Sequence, residues 1–115
     1  MKEHRIEQRS FLTFYLEVFD NQSDLPMGQL YDLTIEGIMI IGDDPIFQSI
    51  EYELRIELKD EIDGKNHIIL LAESARCTED KNIAKYRTGY KFTQIDKKDI
   101  KVIDYLITQF GYQIE

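Results

Sequence analysis

The stretch that decides the fold is YDLTIEGIMIIG, which runs from Tyr31 to Gly42. It begins as a strand, contains the turn signal Glu36-Gly37, and ends as a second strand that is almost entirely apolar. Because glycine has no Cβ, it adopts positive φ at little steric cost, and we expect Gly37 to do so at this turn. The stretch therefore predicts a β-hairpin around which the rest of the chain is arranged.

Two polar side chains precede the predicted turn. Asp32 and Thr34 are two positions apart, so on a strand both point to the same face. A carboxylate beside a hydroxyl forms an acceptor-rich patch that suits a ligand edge with several N–H donors. The alternative is that both side chains bond only to nearby backbone and shape the hairpin, as Asp and Thr often do near turns. On this stretch alone, the local role is favoured.

The bulk composition predicts a single acidic globular domain. The chain has 115 residues, of which 43% are hydrophobic and 11% aromatic, enough for one core that buries about two-thirds of the surface of the unfolded chain. With 22 acidic and 14 basic residues, the formal charge is −8. This charge argues against general binding to DNA, RNA or anionic membranes. A small anionic ligand is compatible with it if cations gather locally.

Several features predict a cytoplasmic protein that does not insert into membranes. Cys77 is the only cysteine, so no intramolecular disulfide can form, which fits a reducing compartment. The N-terminus lacks the apolar segment of a signal peptide. The longest apolar runs, Ile38–Ile41 and Ile68–Ala72, are too short to span a bilayer.

Alternating polar and apolar residues predict six strands. They cover Ser10–Asp20, Gln29–Thr34, Gly37–Ile41, Ser49–Lys59, His67–Thr78 and Tyr86–Gln94. The alternation is clearest in the fourth strand, whose inward-facing residues would be Ile50, Tyr52, Leu54, Ile56 and Leu58. Asp63-Gly64 is a hairpin signal between the fourth and fifth strands. Apolar residues at every position of Ile68–Ala72 predict that this part of the fifth strand is buried on both sides.

The apolar period changes to that of a helix after the sixth strand. A stripe at helical spacing comprises Ile100, Ile103, Leu106, Ile107 and Phe110. We expect Asp96 as the N-cap, with Asp99 completing an acidic variant of the capping box, and Gly111 at the C′ position. The predicted fold class is therefore all-β with one C-terminal helix. Six antiparallel strands would form a closed or nearly closed barrel whose opening the helix covers.

The N-terminal segment, residues 1–9, is polar and is predicted to be a flexible basic arm. It contains Arg5 and Arg9, and the planar fork of arginine donates two parallel hydrogen bonds to a phosphate or to the acceptor edge of guanine. The alternative is that this spacing arose by chance and that Glu7 pairs with one arginine on the surface. Residues 10–115 are predicted to form one barrel domain.

Three short motifs follow one another along the chain in a distinctive order. They are RxxxR, DxTxxG and GYKF, and they begin at Arg5, Asp32 and Gly89. Each motif is weak alone, but in this order and on these strands they resemble the PilZ domain, a family of bacterial cyclic di-GMP receptors. The resemblance covers nearly the whole chain. It implies a six-stranded, PilZ-like antiparallel β-barrel capped by a helix, with the ligand held between the arm and the outer face of the barrel.

The resemblance also implies roles for individual residues. Arg5 and Arg9 would contact the phosphates and guanine O6 and N7, while Asp32 and Thr34 would contact guanine. Gly37 would keep the turn tight enough for close approach. The chemistry of the side chains agrees, because a carboxylate matches the N1–H and N2–H donors of guanine, and guanidinium groups match its opposite edge.

The sequence departs from the family pattern at three points. Thr34 occupies the position where the family usually has Ser, and its extra methyl could crowd the ligand. The net charge opposes a dianion at long range, although salt screens this field beyond about 10 Å. The fifth strand has Arg76 and Cys77 where an aromatic stacking partner would be useful. A guanine could stack on a guanidinium plane instead.

The resemblance thus predicts a cyclic di-GMP receptor or adaptor that needs no other cofactor. The ligand would order the arm and create a surface for an unknown downstream protein. The alternative is an interaction module of the same fold that binds no nucleotide and uses its acidic surface to meet a basic partner. The helix could also serve a homodimer.

We predict neither an enzyme nor a metal site. No sequence cue brings His4 and His67 together, and Cys77 has the features of a small packed apolar residue more than of a nucleophile. Asp60, Asp63 and Gly64 resemble part of a calcium loop, but Ile62 lies where the second oxygen ligand is needed.

Overall fold

A computed structural model describes residues 16–110 of the chain. Arg5 and Arg9 of the predicted arm, residues 10–15 of the predicted first strand, and Gly111 lie outside the described residues. The predictions for these positions stay predictions.

Six antiparallel strands close into a barrel, and one helix follows them. The elements are β1 (Glu17–Asp20), β2 (Pro26–Leu33), β3 (Gly37–Gly42), β4 (Glu51–Ile62), β5 (Lys65–Asp80), β6 (Lys85–Gln94) and α1 (Lys97–Phe110). Around the barrel the order is β1-β2-β3-β6-β5-β4. The predicted fold class is therefore confirmed.

The turn between β4 and β5 is tighter than the sequence suggested. Only Asp63 and Gly64 separate the two strands, and their φ angles are +53° and +78°. Positive φ at both central residues is typical of a two-residue hairpin loop whose twist matches that of the strands. The predicted hairpin signal is confirmed.

The core fills the barrel with alternate residues of each strand. Leu54 and Ile56 of β4 are fully buried, as predicted, and Tyr52 and Leu58 are partly buried against the same core. The prediction for Ile50 was wrong, since its side chain is 44% exposed. β4 begins at Glu51, two residues later than predicted, and Ile50 belongs to the preceding loop.

The prediction that β5 is buried on both sides was also wrong. Ile68, Leu70 and Ala72 are buried, but Ile69 between them is 38% exposed. The wall of a barrel is one sheet thick, so only alternate residues reach the interior. The apolar run extends over both faces of the strand, although only one face is covered.

Helix α1 packs against the core through Val102, Ile103 and Leu106. The predicted stripe was placed slightly off this face, because Ile100 is exposed and Val102 is buried. The backbone carbonyl of Asp96 accepts hydrogen bonds from the N–H groups of Asp99 and Ile100, so Asp96 precedes the first turn as expected. Within residues 16–110, no helix is long and apolar enough to cross a membrane.

The antiparallel order divides the connections between the two ends of the barrel. The β1–β2, β3–β4 and β5–β6 connections lie at one end, which we call the loop end. The β2–β3 and β4–β5 turns lie at the other, which we call the helix end, because Asp99 of α1 pairs there with Lys65 of the β4–β5 hairpin at 3.2 Å. The chain also enters β1 from the helix end.

Candidate functional site

A bulge in β2 turns Asp32 to the outside of the barrel. Leu30 pairs with Ile40 of β3 and Asp32 with Met39, so two residues of β2 oppose one of β3 at this point. Leu30 and Leu33 can then both enter the core, where both are fully buried. Tyr31 and Asp32 are left together on the outer face, which is a common use of a bulge beside a binding site.

The Asp32 carboxylate is half-buried and only partly engaged. Its Oδ1 accepts a hydrogen bond from the backbone N–H of Leu33 at 2.9 Å. Its second oxygen has no hydrogen-bond partner among the described residues. Burial raises the pKa of Asp32, and the hydrogen bond from Leu33 opposes this only in part. A carboxylate in this state has one oxygen available for a further N–H donor.

The hydroxyl of Thr34 holds the β2–β3 turn. Its Oγ1 accepts hydrogen bonds from the backbone N–H groups of Glu36 at 3.1 Å and Gly37 at 3.2 Å. The backbone N–H of Thr34 donates to the carbonyl of Gly37 at 3.0 Å. Thr34 therefore does bond to nearby backbone and shape the hairpin, which is the alternative that the sequence left open. Its hydroxyl is already used as an acceptor.

Gly37 is required for a reason other than the predicted one. Its φ is not positive; within residues 16–110 the glycines with positive φ are Gly28 and Gly64. A Cβ at Gly37 would instead collide with the backbone carbonyl oxygen of Tyr90 on β6. The glycine therefore permits close approach of two strands, and the prediction of positive φ at this turn was wrong.

Asp32 and Thr34 line the same open cleft on the outer face, as their spacing predicted. The cleft, which we call the Asp32 cleft, has a volume of about 440 Å³ and extends across β3 and β6 to Ala75 of β5. Gly89 lies in its floor, and a Cβ there would meet no heavy atom within 4 Å. The missing side chain leaves a flat gap between the two walls.

A second bulge forms the far wall of the cleft. Ser74 pairs with Tyr90 and Arg76 with Gly89, so Ala75 is the extra residue of β5. The strand register places Asp32, Met39, Gly89 and Arg76 in one row across four strands. Arg76 is exposed and makes no hydrogen bond or ion pair with other described residues. A carboxylate and a guanidinium therefore stand at opposite ends of a row whose middle positions are Met39, which also lines the cleft, and Gly89, which has no side chain.

Two further cations lie on the outer face of β6; Lys91 belongs to the GYKF motif, but the sequence predicted no role for either of them. Lys91 lines the Asp32 cleft directly. Arg87 lies further along β6, where it pairs with Asp80 at 2.8 Å and packs 5.0 Å over the ring of Tyr31. The signal was present, because Arg87, Gly89 and Lys91 occupy alternate positions of one strand and so share its outer face.

The N-terminal segment joins the barrel close to this cleft. The carbonyl of Leu16 accepts a hydrogen bond at 2.8 Å from Leu30, two positions before Asp32. Arg9 precedes Leu16 by seven positions, and a fully extended chain of that length spans at most about 24 Å. The predicted arm is therefore tethered within reach of the Asp32 cleft.

The described part of the chain offers no grouping typical of a metal centre. Among residues 16–110, no three His, Cys, Asp or Glu side chains cluster so that they could hold a metal ion. Cys77 is half-buried, and its Sγ accepts a hydrogen bond from the backbone N–H of Ile46 at 3.4 Å.

Comparison with known proteins gives no sequence match. No family model matches the chain. A search of curated proteins also finds no match.

Two solved structures resemble the chain in three dimensions. The inhibitor of motility MotI/DgrA from Bacillus subtilis matches with a TM-score of 0.68 and 21% identity over 84% of this chain. The match covers 47% of MotI/DgrA, so the chain spans about half of its length. The PilZ domain of YcgR from Escherichia coli, determined with c-di-GMP, matches with a TM-score of 0.64 and 12% identity. That match covers 84% of this chain and 81% of the YcgR domain. With the closed six-stranded barrel and its C-terminal helix, these matches show that the chain has the PilZ-domain fold.

Proposed function

We propose that the protein is a cytoplasmic bacterial receptor for cyclic di-GMP that acts as an adaptor and has no enzymatic activity of its own. The observation that carries the proposal is the outward carboxylate of Asp32, which lines a cleft that is open at Gly89 and lies in one strand-to-strand row with Arg76. The likeness in fold to a PilZ domain determined with c-di-GMP supports it. No cofactor beyond this ligand is part of the proposal.

In this proposal one guanine of the ligand lies in the Asp32 cleft. Its N1–H and N2–H groups donate to the Asp32 carboxylate. The second oxygen of that carboxylate accepts no hydrogen bond from any described residue, so it is open to the ligand. The purine ring lies over Gly89, where no Cβ occupies the floor. Arg76 is available at the opposite wall to stack on the ring or to donate to O6 and N7.

Arg5 and Arg9 bind the phosphates of the ligand in this proposal. Their guanidinium groups neutralise the dianion through paired, charge-assisted hydrogen bonds. Lys91 and Arg87 on β6 also lower the local negative potential in a protein whose formal charge is −8. Because salt screens charges beyond about 10 Å, these cations act on the ligand more strongly than the distant acidic residues do, although Glu36, which also lines the cleft, opposes them.

Ligand binding acts as a switch in this proposal. The arm, residues 1–9, folds over the nucleotide and so presents a surface that the free protein lacks. A downstream protein then recognises that surface. Limited proteolysis should detect the change, because cleavage after Arg5 and Arg9 would slow when cyclic di-GMP is added.

Calorimetric titration with cyclic di-GMP tests the proposed site. We expect Arg9→Ala and Asp32→Asn each to weaken binding by about tenfold or more, since each removes a charge-assisted hydrogen bond. The matched control is Asp104→Asn, which removes an exposed carboxylate on α1. This variant should bind cyclic di-GMP with the same affinity as the unaltered protein. The unaltered protein should bind GTP much more weakly than it binds cyclic di-GMP. Undiminished affinity in both site variants would rule out this site.

The second candidate function is an interaction module that binds no nucleotide. The use of the Thr34 hydroxyl as an acceptor within the turn favours it, because less of that group is left for a ligand. The negative charge of the chain also favours it. This alternative predicts that cyclic di-GMP leaves the melting temperature unchanged and that the protein copurifies with a basic partner.

A further inference from the structure

Every connection at the loop end presents a large apolar side chain to solvent. Leu25 in the β1–β2 connection is 64% exposed, Phe47 in the β3–β4 connection 84%, and Ile83 in the β5–β6 connection 48%. Single exposed apolar residues are common on protein surfaces and need no explanation. At least one in each of the three connections at the same end of a barrel is a pattern that does need an explanation; the β3–β4 connection has a second, Ile50.

The loop around Phe47 is fixed in place although its ring is exposed. The backbone carbonyl of Phe47 accepts a hydrogen bond from the Ser74 hydroxyl at 2.6 Å. The side-chain amide of Gln48 donates to the carbonyl of Ala75 at 2.9 Å, and the backbone N–H of Ser49 donates to the carbonyl of Ser74 at 2.7 Å. Because the backbone is already ordered, an aromatic ring presented in this way costs little further conformational entropy when it is buried by a partner.

A concave site adjoins the exposed residues. Leu25 and Ile46, the neighbour of Phe47, line a cleft of about 420 Å³ at the loop end. Met27 and Ile41 contribute further apolar wall. The cleft is large enough to admit a side chain of a protein partner, so the loop end combines projecting apolar groups with a recess.

The charge around these apolar groups is negative. The cleft that adjoins them is lined by four carboxylates and one basic residue, Lys85; the carboxylates are those of Glu17, Asp20, Asp43 and Asp44. Asp43 pairs with Lys85, whereas Asp44 has no partner among the described residues. A positively charged partner is complementary to this cleft, and an acidic one would be repelled.

We propose that the loop end is a docking surface for a protein segment that is basic and carries a large apolar side chain. Phe47 is the main anchor, Leu25 and Ile83 are the exposed apolar side chains of the other two loop-end connections, and Asp44 is an acidic contact in the adjoining cleft. The inference goes beyond the proposed receptor function, because none of these residues lines the Asp32 cleft. It can hold or fail whether or not the protein binds a nucleotide.

Site-specific photocrosslinking in the source cells provides the first test. The photoreactive amino acid p-benzoylphenylalanine replaces Phe47, which is exposed enough to accept it without disturbing the core. The matched controls carry the same group at Ile69 and at Tyr105, which are exposed but lie outside the loop-end connections. We expect a protein crosslink at position 47 that is absent at both controls, and the crosslinked segment should be basic.

The second step measures binding of that segment, made as a synthetic peptide, to the purified full chain by fluorescence anisotropy. Phe47→Ser should weaken binding by about tenfold or more, as expected for loss of an aromatic anchor. Asp44→Asn should weaken it less and reduce its dependence on salt. Ile69→Ser should leave it unchanged. Equal crosslinking at all three positions, an acidic segment, a second copy of this chain, a nucleic acid as the crosslinked species, or full affinity in Phe47→Ser would each overturn the proposal.

Discussion

The guanidinium of Arg87 lies 5.0 Å from the centre of the Tyr31 ring, next to Asp32 on the outer face of the barrel. An ion pair with Asp80 at 2.8 Å fixes the same guanidinium. Its Nε is buried and has no hydrogen-bond partner in the part of the chain that the structure describes. These contacts hold a positive charge beside the proposed ligand in a protein that is otherwise acidic.

Arg87→Gln should weaken binding of cyclic di-GMP by about twofold to fivefold. The reason is the loss of one nearby positive charge, which acts on the dianion mainly through space. The effect should shrink as salt is added, and calorimetry at two ionic strengths measures it. A loss that is independent of salt would show that Arg87 acts in another way.

Asp32→Asn should stabilise the free protein at neutral pH while it weakens ligand binding. Burial raises the pKa of Asp32 above the ordinary value of 3.8, so the folded state favours the protonated form of this carboxyl. Its stabilising contribution is complete below the pKa of the unfolded chain and is lost as pH rises through the raised pKa of the folded state. Asparagine avoids this loss, so the variant should melt higher at pH 7 and nearly equally below pH 3.8.

Ligand binding should follow the same ionisation of Asp32. Cyclic di-GMP affinity should fall as pH decreases through the raised pKa, because a protonated carboxyl accepts N–H donors poorly. The Asp32→Asn variant should show little of this pH dependence. If Asp32→Asn has a lower Tm at pH 7 than the unaltered protein, the predicted gain in stability is contradicted.

Gly89→Leu should abolish ligand binding without damage to the fold. A Cβ at Gly89 meets nothing within 4 Å, so a leucine side chain would extend into the Asp32 cleft rather than into another strand. The affinity for cyclic di-GMP should fall by about tenfold or more, since a purine could no longer lie on the floor. Thermal melting should be unchanged or slightly raised, because glycine weakens strands. Full affinity in this variant would place the ligand elsewhere.

Gly37→Ala should destabilise the protein, unlike the substitution at Gly89. A Cβ at Gly37 collides with the carbonyl oxygen of Tyr90, and backbone atoms of two paired strands must move to relieve the contact. We expect a loss of about 1–3 kcal/mol in the free energy of unfolding, measured by urea denaturation. Gly89→Ala on the neighbouring strand is the control and should leave the free energy of unfolding unchanged. Equal stability of the two variants would contradict the close approach.

Ser74→Ala should destabilise the protein and loosen the loop that presents Phe47. Ser74 is buried; its hydroxyl accepts a hydrogen bond from the Ile50 N–H at 3.0 Å and donates to the Phe47 carbonyl at 2.6 Å. Removing the hydroxyl takes two hydrogen bonds from a buried position and leaves the part-buried N–H of Ile50 without its acceptor, at a cost of about 1–3 kcal/mol in the free energy of unfolding. Hydrogen exchange at Ile50 should accelerate. The control, Thr78→Ala on an exposed part of β5, should change neither the free energy of unfolding nor hydrogen exchange at Ile50.

The sequence predicted the elements but not the register between them. Alternation and the change of period after Gln94 placed six strands and a helix, because local side-chain patterns follow the period of the backbone. The row from Asp32 to Arg76 depends on bulges at Tyr31 and Ala75, which shift the pairing by one residue. Such shifts depend on packing in the closed barrel, so a linear pattern does not reveal them.

Gly37 and Ile69 illustrate the same limit. Gly37 was recognised as special, but its reason is the carbonyl of Tyr90, more than fifty positions away in the chain. Ile69 is apolar like its neighbours, and only closure of a single-layered barrel decides that it faces solvent. Arg5 and Arg9, which come from the resemblance, stay predictions.

A crystal structure of the full chain grown with an excess of cyclic di-GMP is the decisive measurement for the proposed site. We expect a guanine over Gly89 with its N1–H and N2–H groups within about 3.2 Å of the Asp32 carboxylate. We also expect Arg5 and Arg9 at the phosphates. A ligand bound at any other surface, or an Asp32 cleft left without nucleotide in a crystal that contains it, would contradict the proposed function.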